Sequence, residues 1–99
     1  MENRVITDQK LEKYFSVTKA ALAKAKTAPS KLLKSEEVAE IYYDMAQRYT
    51  ADADIFAKKG MIVEAFAALN YAHAWLDAGA IVGIFDVDKD NVLFTVDDR

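Results

Sequence analysis

The stretch from Met61 to Phe85 constrains the fold more than any other, because it is apolar on every side. Ile62, Phe66, Leu69, His73, Leu76 and Ala80 form one heptad-like row, and Ala68, Tyr71, Trp75, Ala78, Val82 and Phe85 form another. At about 100° per residue the two rows lie on nearly opposite sides of a helix. A helix apolar all round is a buried helix, in protein or in lipid. Glu64, Asn70, His73 and Asp77 interrupt the stretch, and an Asp near mid-bilayer costs roughly 2.5–3.5 kcal/mol, so no membrane partner is expected. The spacing predicts a buried helix over 62–85. Two neighbouring helices cover only one broad side of it, which leaves the other for the tail, a second copy or a partner.

Two amphipathic helices precede it. Over residues 8–26, Leu11, Phe15, Thr18, Leu22 and Ala25 form one stripe with Tyr14 beside it. Thr7 is the expected N-cap, with Asp8 at the positive end of the dipole and Ile6 and Leu11 spaced as a hydrophobic staple. Pro29 is the expected stop, since it removes an amide and disfavours helix at Ala28. Over residues 36–59, Val38, Ile41, Tyr42, Met45, Tyr49, Ala53 and Phe56 face inward, with Ser35 as cap. Lys58, Lys59 and Gly60 form a favourable ending, with cations at the negative pole and a glycine free to turn left-handed. Residues 86–99 form a tail that begins acidic and whose short apolar run after Asn91 suits an extended segment.

With 17 Ala, three Gly and one Pro in 99 residues, the composition favours helix over a many-turned β fold. The fold class is therefore all-α: one domain over 1–99, a three-helix up-and-down bundle with a short extended C-terminal tail. The chain has no Cys and one His. That excludes disulfides, a thiol nucleophile, Cys-ligated metals and a multi-His metal site within one chain. No phosphate-binding glycine motif occurs, and no cofactor is expected. Residues 1–34 hold eight Lys/Arg and three Asp/Glu, a charge of +5, whereas residues 35–99 hold five and thirteen, a charge of −8. This polarity reads as a basic helix packed beside acidic ones. The lysines of the first helix spread round both flanks of its stripe with no interleaved Arg or aromatic, so nucleic acid is not an expected partner. The N-terminus has no apolar run behind its charges and does not read as a signal peptide, so a cytoplasmic location is expected.

Asn70, His73 and Asp77 share one side of the third helix. His73 and Asp77, four apart, can form an ion pair that holds one imidazole tautomer. One reading is a ligand-binding or general-base site. The other is a buried polar network that fixes helix register. No nucleophile stands beside His73, so no catalytic residue is assigned. Asp86, Asp88, Asp90, Asn91 and Asp97 imitate a calcium loop. They lack its glycine at place six and glutamate at place twelve, so a solvated acidic turn is expected and no metal site. Gly79 and Gly83 form a small-residue pair that lets another segment approach closely.

The run Asn70-Tyr71-Ala72-His73-Ala74-Trp75-Leu76-Asp77-Ala78-Gly79, with Gly83-Ile84-Phe85 and Leu93-Phe94-Thr95-Val96, resembles the archaeal family known as domain of unknown function 357. The likeness spans most of the chain and is specific from about Gly60 onward. It implies a small cytosolic helical bundle, which in some members accompanies a nucleotidyltransferase-like domain. It marks Asn70, Tyr71, His73, Trp75, Asp77 and Gly79 as signature positions without roles. The functional expectation is a non-catalytic interaction or self-association module. Tyr71, Trp75, Val82 and Phe85 are its expected interface, partly covered by Val92, Leu93, Phe94 and Val96 and otherwise closed by a second copy. The alternative is a small-ligand or enzymatic site at Asn70, His73 and Asp77.

Overall fold

The computed structural model describes residues 4–27 and 32–95. Three helices make up most of them: α1 Asp8–Lys24, α2 Ser35–Lys58 and α3 Ile62–Val82. No strand occurs among the described residues. The protein is all-α, as the periodicities require.

Each helix end has a local cause. Thr7 is extended and its Oγ1 accepts a hydrogen bond from the Lys10 amide at 3.1 Å, so it caps α1 as expected. That helix ends at Lys24, two residues short of expectation, where Ala25 turns extended. Pro29, the expected stop, lies outside the described residues. Lys34, not Ser35, holds the N-cap of α2 and offers no side-chain bond; Ser35 is the first helical residue. At its far end Gly60 adopts φ 75°. Its amide donates to Ala57 O at 3.1 Å and that of Met61 to Phe56 O at 2.9 Å, the paired bonds of a Schellman ending. The third helix stops at Val82 instead of 85, because Gly83 turns left-handed at φ 88°. The amides of Gly83, Ile84 and Phe85 all donate to Gly79 O, at 3.1, 3.0 and 3.2 Å.

The three-residue turn makes α2 and α3 an antiparallel hairpin. Ring pairs across it run in opposite chain directions. Tyr42 meets Trp75 edge-on with centroids 4.8 Å apart, and Tyr49 meets Tyr71 at 4.5 Å. The seam is built on small residues: Ala46 and Ala53 from α2 against Ala65, Ala68, Ala72 and Gly79 from α3, all buried. They let the backbones approach closely while the aromatic rings fill the flanks. Among the described residues no large side chain is fully buried.

The first helix joins this hairpin by side chains and not by close backbone packing. Lys10 Nζ lies 3.2 Å from Glu64 Oε1 on α3. Its N-terminal half thus sits beside the turn end of the hairpin. The expected burial of its stripe is not observed: Leu11 is 50% exposed, Phe15 56% and Leu22 76%. The helix stands off, so its side chains line a cleft instead of interdigitating.

The tail is a run of turns where an extended segment was expected. Asp86 Oδ1 accepts from the Asp88 amide at 3.0 Å, and Asp90 Oδ1 accepts from the Val92 and Leu93 amides at 2.9 Å each. Asp88 and Lys89 both take positive φ, 54° and 58°. The acidic residues spend their oxygens on their own backbone, as Asx turns do. That is the physical content of the acidic turn anticipated here. Asp97 lies outside the described residues.

Candidate functional site

The polar stripe of α3 holds the tail. Asp77 Oδ1 accepts from the Thr95 amide at 2.8 Å and Asp77 Oδ2 from Thr95 Oγ1 at 3.1 Å. His73 Nε2 lies 3.5 Å from Asp77 Oδ1, and the His73 ring stacks on Phe94 with centroids 6.4 Å apart and planes 28° from parallel. The expected His73–Asp77 pairing is present. The expected deep burial is not, since the His73 side chain is 52% exposed. Among the described residues, the partners of this pair come from the tail and not from α2. Asn70 is exposed. The tail therefore folds back, but onto the His73 side of α3. Val92 and Leu93 stay in water at 88% and 61% exposure, and Val96 lies outside the described residues.

Three of the four expected interface residues find partners within the chain. Tyr71 and Trp75 pack on Tyr49 and Tyr42 of α2 and on each other at 6.1 Å. Phe85 closes on Gly79 so tightly that a Cβ there would overlap its ring. Val82 stays open at 65%, and Tyr71 is still 46% exposed. The opposite row also faces solvent, with Ile62 37%, Phe66 65% and Leu69 48% exposed. Apolar residues on both sides of α3 gave no sequence signal for which row would meet α2. The seam alanines decided it, because they permit the closest approach.

A second feature escaped sequence reasoning. Between α1 and the hairpin lies a cleft of about 660 Å³. Ile6, Leu11 and Tyr14 form one wall, Phe56, Val63 and Tyr71 the other, over Ala67 and Ala68. Lys10, Glu64 and Asp52 are its charged groups. The Ile6–Leu11 spacing and the aromatic Tyr14 were legible, but nothing local foretold that Lys10 would meet a residue 54 positions away. Arg48 Nη2 pairs with Asp44 Oδ2 at 2.7 Å one turn away, which raises the guanidinium pKa through hydrogen bonding and charge. Among the described residues no group of three or more acidic or His side chains could hold a metal ion, and no helix is long and apolar enough to cross a membrane.

An all-α chain with a two-helix hairpin, an outlying first helix and a strapped tail is a small helical-bundle domain. A family described as protein of unknown function (DUF357) matches residues 13–85, and the chain belongs to that family. No curated protein and no solved structure matches it.

Proposed function

We propose that this protein is a non-catalytic interaction module that associates with a second copy of itself through α3. One observation carries the reading: Ile62, Phe66 and Leu69 stand exposed in one row along α3, at 37%, 65% and 48%. These side chains are large while the residues buried within the chain are alanines. Isolated exposed apolar residues are ordinary, but a continuous row of them marks a contact surface. A two-fold contact, the commonest in homo-oligomers, would set this row against its own copy. The module works in the cytoplasm on this reading, as the sequence led one to expect.

The His73–Asp77 pair fits a structural role better than a ligand site, because both oxygens of Asp77 accept from Thr95. The absence of cysteine from the chain allows a direct test. Leu69→Cys, in the middle of the row, should form an intermolecular disulfide under mild oxidation. Tyr43→Cys, on the exposed side of α2, should not. Equal cross-linking of both variants, or of neither, would remove the proposed surface.

A further inference from the structure

We propose that the cleft between α1 and the hairpin binds a small apolar molecule of drug size with an uncharged or cationic polar end. The size argues for a small molecule over a helix. The cleft encloses about 660 Å³, within the range of roughly 300–1,000 Å³ typical of small-molecule sites. An α-helix with its side chains is about 10–12 Å across, so even two turns of one exceed that space. The lining has the composition of such a site: aliphatic and aromatic walls from Ile6, Leu11, Tyr14, Phe56, Val63 and Tyr71, with few polar groups. The space exists because Ala67 and Ala68 keep the α3 side of the cleft low while α1 stands off on the Lys10–Glu64 bridge. The charge of the ligand's polar end follows from the same residues. Lys10 is already paired with Glu64 at 3.2 Å, and Asp52 leaves the charged set at −1. An anionic head would meet two carboxylates and a lysine whose charge is engaged.

The site is separate from the α3 row proposed for self-association, so either can fail alone. The test uses the full chain and the neutral fluorophore N-phenyl-1-naphthylamine. The single tryptophan, Trp75, lies 6.1 Å from the cleft residue Tyr71, so probe bound in the cleft should quench it by energy transfer. Binding should saturate at one probe per chain. Decylamine should displace the probe at lower concentration than decanoate. Ala67→Phe, at a solvent-exposed α3 position on the cleft, should weaken binding by at least about tenfold with helicity unchanged. Phe66→Ser, on the outer row, should leave probe binding intact whatever it does to self-association. Non-saturable binding, binding unaffected by Ala67→Phe, loss of binding in Phe66→Ser, or stronger displacement by decanoate would each overturn the proposal.

Discussion

Replacing Gly79 by alanine opposes two effects of similar size, and the structure says which background reverses the outcome. A glycine inside a helix costs about 0.5–1 kcal/mol relative to alanine. On propensity alone Gly79→Ala should therefore stabilise α3. Its Cβ would overlap the Phe85 ring, with Ile84 Cγ1 also close at 3.3 Å. The ring must leave, and a fully buried Phe contributes about 1.5–3 kcal/mol. Phe85 is only half-buried, so the loss is about 1 kcal/mol, and the chain reversal that bonds to Gly79 O is disturbed with it. In the native background the two effects nearly cancel or leave a net loss of up to about 1 kcal/mol. In a Phe85→Ala background the clash is gone, and the same change should stabilise by about 0.5–1 kcal/mol. Urea unfolding of the native protein, both single variants and the double variant gives the coupling, expected at about 1 kcal/mol or more. A Gly79→Ala protein that gains its full propensity benefit in both backgrounds would show that Phe85 does not rest on Gly79.

Gly83→Ala places a Cβ at φ 88°, in open space but on a backbone that L side chains rarely adopt. It should lower stability by about 1 kcal/mol, read as a drop of about 4–8 °C in Tm. Ala72→Leu, at a seam position 3% exposed, should cost about 1–3 kcal/mol by overpacking, with the Tyr and Trp emission of the hairpin changing as the seam is pushed apart. Asp77→Ala removes both acceptors of Thr95. Hydrogen exchange at the Thr95 amide should speed up by about tenfold or more, while the Tm falls by only a few degrees, because each such exposed bond contributes about 1 kcal/mol at most. Thr7→Ala removes the cap of an outlying helix, so helicity should fall through α1 fraying while the hairpin's own unfolding midpoint stays put.

Helix number, type and order were legible because they follow from local features. Thr7 and Gly60 punctuate the chain in ways that need no tertiary partner. What the sequence left open was which faces meet. Rows on both sides of α3 carry large apolar residues, and Tyr71 and Trp75 are as plausible an outer surface as Phe66 and Leu69 until the alanine seam is seen. The helix end at Val82 was missed because the apolar pattern runs on through Ile84 and Phe85, which in fact fold back over Gly79. The polar stripe was half legible. The four-residue spacing of His73 and Asp77 gives their pairing directly, but Thr95 arrives from 18 residues away. The turns of the tail were obscured for a similar reason: Asp90 reads as a surface charge in sequence, yet its oxygen caps two amides. The standoff of α1 had no sequence signal, since its stripe resembles that of any buried amphipathic helix.

The mass of the protein in solution tests the self-association claim most directly. Light scattering over a dilution series should give twice the monomer mass of 11.1 kDa at high concentration and fall toward the monomer on dilution. Phe66→Ser should shift that midpoint to higher concentration without loss of helicity. A native protein that stays at the monomer mass at every concentration, or a Phe66→Ser variant that associates as strongly as the native chain, would contradict the account.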